Sequence, residues 1–524
     1  MPNQQTVNPA DAAPSRLLAA SRVSLVAASS LMVLLFLVAA WLRLHFSFEF
    51  DWIEDGMLAS VRHIGQGQPL YQAPSVSFTP YLYTPVYLYL AAAVAKVTGA
   101  SYGTLRLVSL LSTLGTFAVI YGLVYSEVRR HIAAVAAVGL FAACYPLAEA
   151  CFDLGRVDML YLLFVAAALF ATRRLHPVVA GLLWVLAFQT KQGVLPIAFL
   201  ALIHDWQRPR RVVMGLGSYA VLLASSILLL EHGTHGWYRY YVFGMAGGFG
   251  ISLHQAIRFL PSDLLAPFGL AFLIIFAALV LTPPRLRSSA TSFYVMGTLG
   301  MVCFTGYLRA HRGANVNALV PAYLWISLVC GICMARLYKW IEAHNTRYAA
   351  TCLSILLMAA TLQMVTHLYS PREFAQTDAE NFDRMAFERQ LRAISGEVLV
   401  LSHPEDGLMA GKQLYAGSES VGAVIDAKNR KVAEDLRAQY AELIHSRRLT
   451  AIALDLPQEV YDGAASWKPA DFGAYYPIRI AAEGADSHRF SSVPQWLYFA
   501  CPGDGHVDPR QLFPGAAVDE SGCH

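Results

Sequence analysis

Charge is what this sequence has little of. Of its 524 residues only 14% are Asp, Glu, Lys or Arg, against roughly 25% in an ordinary soluble domain, and the mean hydropathy is +0.44. The shortage is concentrated in repeated uncharged runs near the bilayer-spanning length of about 20 residues, which makes the chain an integral membrane protein. An excess of one sign is missing as well. A net charge of +3 is too small to suggest nucleic acid as a partner. Cysteines number only eight. Six of them (144, 151, 303, 330, 333 and 352) lie in or beside apolar runs, where cysteine behaves as a small hydrophobe. Cys330 and Cys333 have CxxC spacing but no histidine or carboxylate nearby, so no metal or redox site follows from them. Cys501 and Cys523 stand in a polar region and can pair if it lies outside the cytoplasm. A small-residue cleavage site is also lacking after the first apolar run, 23–42, which reads as an uncleaved anchor.

The positions of the few charges set an expected topology. Arg16 and Arg22 precede the first run and put residues 1–22 in the cytoplasm, so the next loop, 46–104, lies outside. Segment 81–98 opens with Tyr81, Tyr83, Tyr87 and Tyr89 among prolines, and that tyrosine enrichment favours an interfacial helix. Segment 177–205 is basic at both ends. Two short helices breaking at Thr190-Lys191-Gln192-Gly193 would keep both basic flanks inside. The resulting expectation is a transmembrane domain over 23–368 with eleven crossings, then an extracytoplasmic domain over 369–524. In that last region GEVLVLS (396–402) and TAIALDL (450–456) look like buried strands separated by a helical pattern at 429–446, the signature of a small α/β domain. The fold class expected is thus an α-helical polytopic membrane protein with a C-terminal soluble α/β domain.

The loop after the first run reads FEFDWIEDGMLASVRHIGQGQPLY. Asp51, Glu54 and Asp55 fall within five positions. One reading is a solvated loop whose acids favour a first helical turn. The other is a general base, because carboxylates crowded against a low-dielectric surface have raised pKa values. Cations gather near the same expected boundary: Arg106, Arg156, Lys191, Arg239, Arg258, Arg309 and Arg312. Singly each can snorkel to headgroups; together they suit an anionic ligand such as a lipid phosphate, which arginine forks match. Asp153 and Asp158 flank Arg156 in CFDLGRVD, and Asp158 also suits a helix N-terminus. His232 and His235 have HxxH spacing without a third ligand in sequence, so no metal site is assigned.

These motifs, in this order, resemble the GT-C superfamily of polytopic glycosyltransferases, in particular its family-39-like branch of protein mannosyltransferases and aminoarabinose transferases. The residues that carry the resemblance are DWIEDGMLASVRHIGQGQPLY, PYLYTPVYLYL, GRVDML and FQTKQG, within about 48–320. The resemblance implies a polyprenyl-phosphate-sugar donor, transfer to a lipid, glycan or protein acceptor on the outer face, and inversion at the sugar. It also implies a base at Glu54 or Asp55 with Asp51 in support; the family's acidic pair is Asp-Glu where this chain has Glu54-Asp55, leaving the register open by one residue. Lys191 and Arg156, with Arg309 and Arg312, would hold the donor phosphate, and Asp153, Asp158, Gln192 and Tyr83 would support them. No cofactor is required, although some relatives use a divalent cation such as Mg or Mn, for which Asp51, Glu54 and Asp153 could supply oxygens if they converge. A bacterial plasma membrane with a periplasmic active site is the expected location. The rival reading is a transporter or flippase of lipid-linked sugars, which would share the break at 190–193 but usually carries its ionisable residues near the midplane, often within internal repeats.

Overall fold

The computed structural model describes residues 9–245, 250–284, 288–311, 314–344, 348–455, 472–482, 494–501, 508–514 and 516–519. The fold is a helical membrane bundle followed by a small sheet domain. Among the described residues, nine α-helices run from residue 9 to 233: α1 Pro9–Leu44, α2 Trp52–Gly65, α3 Val86–Thr98, α4 Tyr102–Val128, α5 His131–Ala142, α6 Asp158–Arg174, α7 Pro177–Phe188, α8 Leu195–Ile203 and α9 Pro209–Gly233. The later bundle helices include Gly269–Leu281, Ser289–Thr298, Val320–His344 and Ala349–Val365. Five single helices of the described residues are long and apolar enough to cross a membrane, and a sixth span exists if Leu253–Leu265 and Gly269–Leu281, bent by 80°, are taken together.

Local chemistry explains the elements that matter for function. Asp51 caps α2, its Oδ1 accepting the Ile53 N–H at 2.9 Å, and Glu54 and Asp55 occupy the positive first turn. α3 has 13 residues and rises about 20 Å, short of a hydrocarbon core of about 30 Å. The run 177–205 is broken as its flanking charges suggest. α7 ends at Phe188, Gln192–Val194 form one 3₁₀ turn, and α8 resumes at Leu195. The segment before α3 docks on this break: Val86 N–H donates to Gln189 O at 2.9 Å and the Thr84 hydroxyl to Phe188 O at 3.0 Å.

Among the described residues the sheet domain holds five strands, β1 Glu397–Val400, β2 Leu449–Leu454, β3 Ile478–Ala481, β4 Trp496–Phe499 and β5 Val518–Asp519, in the order β1-β2-β4-β3-β5. β1 and β2 are parallel and the other pairs antiparallel. Alternation along β1 sends Val398 and Val400 to one face, against Phe387 and Leu391, and Leu399 to the other. That second face shares a continuous apolar core with the first loop, including Met57, Val61, Leu70, Tyr71 and Tyr81. Backbone pairing reinforces the contact, with Ala416 N–H donating to Val76 O at 2.8 Å. The sheet domain is therefore seated on the first loop rather than tethered beside it. Cys501 is disulfide-bonded; its expected partner Cys523 lies outside the described residues.

Candidate active site

The three acids of the first loop diverge, because α2 turns them to different sides. Glu54 points into the bundle and is fully buried. Arg106, from α4, grips it with two bonds, Nε to Oε1 at 3.0 Å and Nη2 to Oε2 at 2.7 Å. The Phe50 and Gly155 N–H groups complete the cage at 2.8 and 2.7 Å. Burial alone would raise the Glu54 carboxyl, but Arg106 and these N–H donors outweigh it and hold the pKa below its ordinary value. Gly155 makes the cage possible: a Cβ there would stand 2.7 Å from Leu105 Cβ and 3.0 Å from Glu54 Oε1. Gly155→Ala should therefore cost about 1–3 kcal/mol by overpacking, read as a drop of several degrees in Tm of the detergent-solubilised protein.

Asp55 faces the sheet domain. Its Oδ1 accepts from the Tyr102 hydroxyl, and its Oδ2 is buried without a hydrogen-bond partner. Burial pushes its carboxyl well above the ordinary range; His403 pulls the other way, and Asp406 and Glu405 push it further up.

Asp51 turns toward Arg156. With 16% of its side chain exposed, its Oδ2 lies 2.7 Å from Arg156 Nη1. Arg156 Nε reaches Asp158 Oδ2 at 3.2 Å. Asp158 Oδ1 in turn accepts from Lys191 Nζ at 2.6 Å and from Asn317 Nδ2 at 3.1 Å. Four charged groups from three parts of the chain thus form one alternating row, Asp51–Arg156–Asp158–Lys191. Lys191 and Asp158 open onto a cavity of about 330 Å³ whose wall also carries Tyr83, Gln192, His311 and Asn317, with Leu162, Phe304 and Leu308 supplying apolar surface. Gln192 is tied down by Nε2 donating to Leu82 O at 3.0 Å and Val242 O at 3.3 Å.

The other expected site residues lie apart from this row. Asp153 is buried against Arg43 (2.5 Å) and Tyr145 (3.0 Å). Arg309 pairs with Asp263 at 3.1 Å and donates to Ala314 O at 2.9 Å. Arg312 lies outside the described residues. Asp51, Glu54 and Asp153 each face a different arginine, so they do not converge as a cation site, and no chemical step is routed through a metal there. Sequence reasoning passed over Asn317 and the buried network of Glu49, Arg384, His403, Asp406 and Asp455. Asn317, four positions after Gly313 in YLRAHRGANVN, carried only the weak signal of a polar residue entering an apolar helix. The run His403-Pro-Glu-Asp directly after an apolar strand was the clearer one.

A sequence-family model, Glycosyltransferase family 87, matches residues 81–330, which contain Arg156, Asp158, Lys191 and Asn317. No curated protein matches the sequence. Among solved structures, ArnT from Cupriavidus metallidurans in the apo state aligns with a TM-score of 0.59 at 12% identity, covering 91% of this chain and 97% of that one. The same protein bound to undecaprenyl phosphate aligns at a TM-score of 0.56, with the same identity and coverage. The chain has the fold of ArnT, the GT-C fold, and over residues 81–330 it is similar to Glycosyltransferase family 87. In GT-C terms the described structure joins a polytopic helical domain, a first loop carrying the acids, and a C-terminal sheet domain seated on that loop.

Proposed function

We propose that this GT-C protein transfers a sugar from a polyprenyl-phosphate donor to the hydroxyl of a lipid, glycan or protein acceptor at the outer face of a bacterial plasma membrane. The observation that carries the proposal is the row Asp51–Arg156–Asp158–Lys191, whose Asp158–Lys191 end lines a partly apolar cavity. A lipid-linked donor diffuses laterally and needs apolar walls for its chain and cations for its phosphate, and both are side by side here. The binding of undecaprenyl phosphate by ArnT, a protein of the same fold, supports this choice of donor class.

Lys191 is the primary phosphate ligand in this reading, because its side chain is 22% exposed at the cavity while Asp158, itself held by Asn317, fixes its position. Arg156 is shared between two carboxylates, so an arriving phosphate competes for its guanidinium and releases Asp51. Asp51 then takes the proton of the acceptor hydroxyl. The acceptor oxygen forms a bond to the anomeric carbon, the carbon–oxygen bond to phosphate breaks, and polyprenyl phosphate leaves with the electron pair. Attack opposite the leaving group inverts the sugar. Cations fixed before reaction stabilise the charge that develops on the departing phosphate.

Labelled-sugar transfer from polyprenyl-phosphate donors, in membranes holding equal amounts of inserted protein, tests the proposal. Lys191→Ala removes one charge-assisted contact, so KM for the donor should rise roughly 10- to 100-fold. An unchanged donor KM in Lys191→Ala would remove the cavity from the reaction. No transfer by the wild type with any donor, alongside flux of a lipid-linked sugar, would replace the transferase with a flippase.

A further inference from the structure

A second cluster lies where the sheet domain meets the first loop, away from the row at the cavity. Glu49 precedes α2, Asp55 sits in its first turn, and His403 follows β1. Carboxylate oxygens of the first two and a ring nitrogen of the third lie within 4.8 Å of one another, and all three residues are buried. His403 Nδ1 is 2.8 Å from Glu49 Oε1, and its Nε2 is 3.0 Å from Asp455 Oδ2. His403 and Asp455 stand at the carboxyl ends of β1 and β2, the parallel pair of the sheet, the end at which α/β sheets place ligands.

We propose that Glu49, Asp55 and His403 bind one divalent transition-metal ion of the zinc class, clipping the sheet domain to the first loop. Three observations point there. First, buried acids crowd the site. Glu49, Asp55, Glu405, Asp406 and Asp455 are all buried, while among the described residues the cations paired with them are Arg384, Arg62 and, if protonated, His403. Second, Asp55 Oδ2 is buried and accepts no hydrogen bond, an expensive state for a carboxylate unless a cation meets it. Third, the surroundings are those of ligands already oriented. A carboxylate, Asp455, holds the far nitrogen of His403, which leaves Nδ1 facing the cluster. Tyr102 fixes Asp55 through its other oxygen, and Arg384, braced by Asp406 at 2.9 Å, fixes Glu49. One imidazole nitrogen with two carboxylates suits zinc, water completing a tetrahedron. The role is mechanical: two ligands come from the loop that carries Asp51 and one from the sheet domain.

The test uses full-length protein purified in detergent without chelator, and does not depend on transfer activity. Elemental analysis should find about one zinc per chain. Chelation should lower Tm, and zinc chloride should restore it by roughly 4 °C or more. His403→Ala should lose the ion and the zinc-dependent part of Tm, whereas His403→Cys, which offers a thiolate, should regain both. Lys191→Ala should keep the ion. Should His403→Ala fail to fold, the chelation and zinc titration of the wild type decide alone. Wild type that purifies without metal, and whose Tm does not respond to added zinc, would overturn the proposal and leave a protonated His403 bridging Glu49 and Asp455.

Discussion

Asp51→Asn should lower kcat for sugar transfer by roughly 10²- to 10⁴-fold, the usual contribution of a general base, while leaving the protein folded. The substitution separates the two jobs of this residue. As a cap, Asp51 uses Oδ1 to accept the Ile53 N–H, and asparagine caps helices about as well as aspartate. As a reactant it uses Oδ2, on Arg156, and there an amide cannot take a proton. Asp51→Ala would also remove the cap, costing about 1 kcal/mol, so its lost activity would be ambiguous. Donor KM should not rise in Asp51→Asn, because Lys191 and Arg156 both remain and a neutral amide competes less for Arg156. Should Asp51→Asn retain kcat within a few-fold, the base is elsewhere. Asp55, whose carboxyl burial pushes well above its ordinary range, lies under the sheet domain and is the poorer substitute.

How much of this was legible beforehand differs from residue to residue. The break at 190–193 was legible because basic residues at both ends of one apolar run are incompatible with a single crossing. The strands of the sheet domain were legible from short apolar runs bounded by polar ones, GEVLVLS and TAIALDL. The first loop could be singled out from its three acids, yet their roles could not. Sequence spacing puts Asp51, Glu54 and Asp55 together, whereas a helix turns successive residues by about 100° and faces them to three different partners. Arg106 is about 50 positions along the chain from Glu54, and His403 comes from a different domain. Such long-range pairings leave no local trace. Arg309 was singled out by proximity to an expected boundary, which says nothing of its partner Asp263, 46 positions back along the chain.

Glu54→Gln should behave unlike Asp51→Asn, and the contrast is what assigns the base. The amide side chain would fit the same volume and could keep the Gly155 N–H bond through its carbonyl oxygen, but it would leave Arg106 without its counter-charge. Arg106 is 1% exposed, and its remaining partners are the carbonyls of Arg43, Phe46 and Phe48 at 3.1, 2.7 and 2.6 Å. Those carbonyls solvate the guanidinium without neutralising it. Breaking a buried ion pair from one side typically costs about 3–5 kcal/mol, a large share of a total stability of about 5–15 kcal/mol. The expected result is a marked loss of inserted, monodisperse protein and a Tm lowered by many degrees, with activity falling in proportion to folded protein. Removing both partners, Glu54→Gln with Arg106→Met, should recover part of the lost Tm, because no charge is then stranded. A Glu54→Gln protein with wild-type Tm but transfer reduced more than about 100-fold would reverse the assignment and make Glu54 the base. The cage around Glu54 argues against that outcome: four donors already occupy its two oxygens, leaving neither turned toward the cavity that holds Lys191.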